Sequence, residues 1–117
     1  MPRADRLCHG DFHPGNVILS RNRPVVIDWI DASRGHPAAD LARSSILFMG
    51  HIAITPCSSA VRRAMELFHR TYLDICVQEM HVDRDEYEMW LPIIAAGRLE
   101  EGIPEFRDWL MEQARVL

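Results

Sequence analysis

Residues 7–29 read L-C-H-G-D-F-H-P-G-N-V-I-L-S-R-N-R-P-V-V-I-D-W, and the expected fold is organised around this stretch. Val17-Ile18-Leu19 and Val25-Val26-Ile27 are short, β-branched and bounded by turn residues, so both read as strands. Arg21-Asn22-Arg23-Pro24 between them is polar, which makes the pair a hairpin. His9-Gly10-Asp11 precedes the first strand and Asp28 ends the second. An antiparallel hairpin therefore brings residues 11–16 and Asp28 to one end. Two carboxylates and an amide gathered there are hard-oxygen ligands of the kind that suits magnesium.

Outward from the hairpin, the chain reads as helical. Residues 1–6 form a polar lead-in, and residues 30–35 a loop with Asp31, Ser33 and Gly35 as turn formers. Pro37 suits a first helical position, with Gly35 or His36 at the cap, and that helix should run to about Gly50. Ser58 or Ser59 caps a second helix, in which Val61, Ala64, Met65, Phe68, Tyr72, Ile75 and Cys76 mark a buried face. Asp83 and Glu86 resemble a capping box opening a third helix through Tyr87, Trp90, Leu91, Ile94 and Leu99. Pro92 should kink or shift it. Glu101-Gly102 is a stop, and Pro104 starts a last helix carrying Phe106, Trp109, Leu110 and Ala114. The expected fold is mainly α with a small β-hairpin, in a single domain over residues 1–117: hairpin 7–29, helical part 36–117.

Composition narrows the function. At 117 residues the chain is long enough for a core, and 48% hydrophobic with 26% charged residues is ordinary for a soluble globular protein. A net charge of −4 argues against nucleic acid as a partner, because phosphate backbones call for clustered basic residues. Three cysteines (Cys8, Cys57 and Cys76) without paired spacing suit free thiols in a reducing cytoplasm. No apolar run approaches the roughly 18 residues of a membrane span, so no membrane partner is expected.

The chemistry lies in spacing. His9, Asp11 and Asn16 reproduce the H-x-D-x-x-x-x-N pattern of kinase catalytic loops. In that pattern the Asp takes the proton of the attacking hydroxyl and the Asn holds a metal. A second Asp should follow a short strand pair, and Asp28-Trp29 stands there.

H-G-D-F-H-P-G-N-V-I-L, V-V-I-D-W and G-H-P-A-A-D-L-A together resemble the aminoglycoside phosphotransferase and choline kinase family over residues 7–48. The resemblance implies a protein-kinase-like fold and transfer of the γ-phosphate of ATP, with Mg²⁺, to a small-molecule hydroxyl. It implies Asp11 as catalytic base and Asn16 and Asp28 as metal ligands. It implies that His9 shapes the loop and that Asp40 braces it from the next helix; His13, Pro14 and Gly15 receive no chemical role. The chain departs from the family pattern upstream. It has no Gly-rich phosphate loop and no lysine, so it is expected to be a C-terminal lobe lacking the nucleotide-binding lobe, inactive by itself. An alternative is a non-catalytic kinase-like module that self-associates into a homo-oligomer over the uncovered surface. A weaker alternative is a metal-dependent phosphoesterase built on Gly10-Asp11-Phe12-His13, and weaker still is a zinc site from Cys8, His9 and His13. The acids Asp83, Asp85, Glu86 and Glu88 could draw a cationic substrate or simply open a helix.

Overall fold

A computed structural model describes residues 6–29 and 32–115. Among the described residues four short strands precede four helices: β1 (Arg6–Cys8), β2 (Val17–Leu19), β3 (Pro24–Val26), β4 (Ser33–Gly35), α1 (Pro37–Ile54), α2 (Ser59–Glu79), α3 (Arg84–Arg98) and α4 (Pro104–Gln113). The hairpin forms as the sequence reading expects, antiparallel, with Val17 opposite Val26 and Leu19 opposite Pro24. Pro24 opens its strand, a position that tolerates the missing N–H.

The expected lead-in and loop are a second sheet. Arg6 pairs with Gly35 and Cys8 with Ser33 in an antiparallel two-stranded ladder. Sequence reading missed it because Arg6, Leu7, Ser33 and Arg34 all face solvent, so neither segment carries an alternating apolar pattern. Asp31, named above as a turn former, lies outside the described residues.

α1 is the axis of the helical part, packing against α2, α3, α4 and β1. Pro37 occupies the first turn and His36 the cap, as expected. Its buried positions recur at helical spacing: Ala38, Leu41, Ala42, Ile46 and the hydroxyl-bearing Ser45. Leu41 and Ala42 meet Leu73 and Tyr87, and Ile46 meets Ala95 and Leu110. Ala42 and Ala95 are fully buried, and their small side chains let α1 and α3 approach closely. A buried Leu or Ile in such a cluster contributes about 1.5–3 kcal/mol. The helix runs past the expected end at Gly50. There a Cβ would lie 3.1 Å from both Phe106 and Trp109, so the glycine admits α4's rings rather than stopping the helix.

α2 corrects the sequence reading most. Ser58 caps it, accepting from the Val61 amide at 3.2 Å. Its buried residue is Leu73, with His69, Tyr72 and Cys76 half-buried, while Phe68 is 56% exposed and Val61 and Ile75 are also exposed. The apolar stripe is real, but α1 is α2's main neighbour and covers only part of it. In α3, Asp83 caps through the Asp85 amide at 2.9 Å, one position short of a capping box. The helix continues through Pro92, and Leu99 falls in a 3₁₀ turn beyond its end. Gly102 then takes a left-handed φ of 65°, the expected stop, and Pro104 opens α4.

One consequence concerns pH. Burial holds the pKa of His69 below its usual value, and its Nε2 lies 2.9 Å from the hydroxyl of fully buried Ser45. The unfolded chain therefore takes up this proton first. His69's share of stability is complete above pH about 6.5 and falls as pH drops through that value toward the lower folded pKa. Urea midpoints for the wild type and His69→Gln, measured from pH 8 to 5, should show a shallower acid decline in the variant. Parallel curves would place the acid sensitivity elsewhere.

Candidate active site

The loop from His9 to Asn16 is held from below, from behind and from within. From below, Asp40 in the first turn of α1 accepts from two consecutive loop amides, His9 N–H at 3.1 Å and Gly10 N–H at 2.9 Å. A carboxylate in a helix's first turn is favoured by the helix dipole, and here it serves the loop as well. From behind, His9 is buried and uses both ring nitrogens. Its Nδ1 accepts from the Asp11 amide at 3.1 Å, which leaves Nε2–H to donate to the Ile27 carbonyl at 2.8 Å. Trp29 covers the imidazole, with ring centroids 4.6 Å apart, and Phe12 meets it edge-on.

From within, buried Asn16 donates its Nδ2 to the Asp11 carbonyl at 2.8 Å, with a second, longer contact of 3.4 Å to the Asp11 carboxylate. A 3₁₀ turn over Pro14–Asn16 makes this local crossing feasible. The loop is joined to Ile27, the residue after β3, whose N–H donates to the Asn16 carbonyl at 2.8 Å while its own carbonyl takes the His9 bond. Asp28 follows directly, exposed and with a left-handed φ of 63°. That conformation is rare for a residue with a Cβ, although Asp tolerates it better than most. Asp28 is thus the residue next to Ile27, which is bonded to both Asn16 and His9.

Two further features lie outside the sequence expectations: His13 within the loop, and a charge cluster on α1 and around the end of α3. His13, to which the sequence assigns no chemical role, accepts from the Gly15 amide through Nδ1 at 3.1 Å, and its Nε2 lies 3.8 Å from the Asp11 carboxylate. Its position two residues after Asp11, inside a tight turn, could have revealed it. Arg43 and Arg98 had no local signal at all. Glu101 lies between them, 2.9 Å from Arg98 and 3.9 Å from Arg43. Burial depresses the Arg98 pKa; Glu101 raises it, neighbouring Arg43 lowers it, and the charge of Asp11 raises it.

The zinc alternative does not survive this geometry. Both ring nitrogens of His9 are taken, and Cys8 is buried with its thiol directed at the Arg6 carbonyl at 3.6 Å. Burial and the nearby Asp40 carboxylate raise the Cys8 pKa, opposing the thiolate that zinc needs. All three cysteines are free. Among the described residues no helix is long and apolar enough to cross a membrane.

The profile described as the phosphotransferase enzyme family matches residues 1–71. The chain belongs to that family. No curated protein and no solved structure matches it. The matched part of this phosphotransferase-family chain takes in both sheets, α1 and more than half of α2. The Arg98–Glu101 pair lies beyond the match, in the part of the chain that the family profile does not describe.

Proposed function

We propose that this chain is the C-terminal lobe of a kinase-like phosphotransferase that moves the γ-phosphate of ATP to a small-molecule hydroxyl. What supports the reading is the loop itself: Asn16 is bonded to Asp11, Ile27, the residue before Asp28, is bonded to Asn16, and His9 and Asp40 fix the frame. Asp11 is the base. Its carboxylate is about a third exposed, so an acceptor hydroxyl can reach it. As the acceptor oxygen bonds to the γ-phosphorus, its proton passes to Asp11 and the bond to the β–γ bridging oxygen breaks.

Asn16 and Asp28 would hold Mg²⁺, and their donor set fits that ion. Asn16 spends its Nδ2 on Asp11, which leaves its amide oxygen for a cation, and Asp28 adds an exposed carboxylate. When bound, Mg²⁺ neutralises charge on the phosphoryl oxygens. The chain has no lysine and no Gly-rich phosphate loop, so the remaining phosphate contacts must come from outside these 117 residues. Exposed Leu7 (75%), Leu19 (85%) and Trp29 (46%) support the second reading, a surface that a lobe or a second copy covers.

Calorimetric titration of Mg·ATP into the chain tests the metal assignment. Weak binding is expected, and Asp28→Ala should remove it. Measurable binding that is equal in the variant would take Asp28 out of the metal site. No binding, together with a dimer by light scattering, would favour the self-associating module.

A further inference from the structure

We propose that the recess between the hairpin, α1 and α2 is the acceptor pocket, and that the acceptor is an uncharged alcohol carried on an aromatic or similarly apolar body. The inference rests on the reading of Asp11 as the transfer base, and it names the substrate class of that site. The recess has a volume of about 330 Å³. Phe12 and His13, the two residues after Asp11, line it on the loop side, and Leu19 of β2, Phe48 of α1 and Phe68 of α2 line it elsewhere. His13 ties the recess to the base: it stands in the wall, and its Nε2 lies 3.8 Å from the Asp11 carboxylate. The loop holds the imidazole in that place. Its Nδ1 takes the Gly15 amide at 3.1 Å, and a Cβ at residue 15 would lie 2.8 Å from the ring, so a glycine is needed there.

The walls offer rings rather than charges. Among the described residues no Asp, Glu or Arg lines the recess. Phe12 stacks on Tyr72 with centroids 5.9 Å apart, and Phe48 on Phe68 at 5.5 Å. His69 is also in the wall, but its Nε2 is taken by the Ser45 hydroxyl. A charged body would lose its hydration here with no counter-ion to replace it, whereas an apolar ring gains contact with the aromatic walls. A dry apolar cavity of about 150 Å³ holds one benzene ring, so this recess has room for a ring and a short hydroxyl-bearing arm. The acids at residues 83–88, which might have argued for a cationic acceptor, open α3 and line no part of it. Of the exposed residues that suit a covering lobe or second copy, Leu7 and Trp29 lie outside the recess and Leu19 borders it.

The test is a nucleotide-free titration of the whole chain, followed by amide proton–nitrogen NMR. The probes are benzyl alcohol, uncharged glycerol and cationic ethanolamine. Saturable binding of benzyl alcohol is expected, with none of the other two. Its hydroxymethyl protons should show Overhauser contacts to the His13 ring, and its aromatic protons to Phe48 and Phe68. Phe68→Ala and Leu19→Ala should each weaken binding about threefold or more. Both side chains are largely exposed, so neither substitution threatens the fold. Ile75→Ala, on the same helix as Phe68 and similarly exposed but outside the recess, should leave binding unchanged. The proposal is overturned if benzyl alcohol does not bind, if glycerol or ethanolamine binds as well, if Ile75→Ala weakens binding as much as Phe68→Ala, or if the hydroxymethyl group lies away from His13. Binding that is lost as protein concentration rises also overturns it, and assigns the recess to a second copy. Failure of the phosphotransferase reading looks different: Asp11→Asn leaves this titration undiminished, and its effect is read only in a transfer assay.

Discussion

Asp11→Asn is expected to lower phosphoryl transfer by roughly 10² to 10⁴-fold while leaving the fold in place. A positioned general base contributes a factor of that order. The measurement is steady-state transfer by the chain joined to a nucleotide-binding lobe of its family, with circular dichroism on the same samples. The fold should survive because the Asp11 carboxylate carries little of the loop's structure. Its contacts are long, 3.4 Å to Asn16 and 3.8 Å to His13, whereas the short bonds run through its backbone: its amide to His9 and its carbonyl to Asn16. An isosteric amide preserves all the backbone bonds, and a stability change within about 0.5 kcal/mol is expected. Turnover within tenfold of wild type would remove Asp11 from its role.

Asp40→Ala should produce the opposite pattern, with stability falling first. The carboxylate accepts from two successive amides, and its loss strands the N–H groups of His9 and Gly10. His9 is buried, so water replaces those bonds poorly. Leaving two such donors unpaired costs about 2–4 kcal/mol. For a chain of this size that is a fall in Tm of roughly 10 °C. Asp40→Asn should fall between, because its amide oxygen can accept one of the two bonds while its NH₂ faces the other donor. Thermal denaturation of the three proteins checks the order. A Tm for Asp40→Ala within about 2–3 °C of wild type would show that the loop is held elsewhere. The two predictions separate the proposed roles: Asp11 would act on the substrate, whereas Asp40 holds the backbone that presents Asp11.

The loop and hairpin were legible because their signals are local. His9, Asp11 and Asn16 lie within eight residues, and Asp28 follows after two β-branched runs. The bonds that realise the pattern also connect near neighbours, such as Asn16 to Asp11 and Gly15 to His13. The caps were legible for the same reason, since Ser58, Pro37 and Gly102 act on their own turns. The buried face of α2 was not. Periodicity reports that one side of a helix is apolar but not how much of that side a neighbour covers, and Phe68 and Ile75 remain exposed.

Four helices, a β-hairpin, the H-x-D-x-x-x-x-N loop and the family are readable from residue order, because spacing and turn chemistry act between near neighbours. Long-range packing accounts for three further features. It paired Arg6–Cys8 with Ser33–Gly35 through backbone bonds that leave no trace in side-chain pattern. It left part of the α2 stripe uncovered. It also set Arg43 together with Arg98 and Glu101, from segments far apart in the chain. A long-range charge cluster has no spacing rule, since its geometry is fixed only when α1 and α3 pack through Ala42 and Ala95.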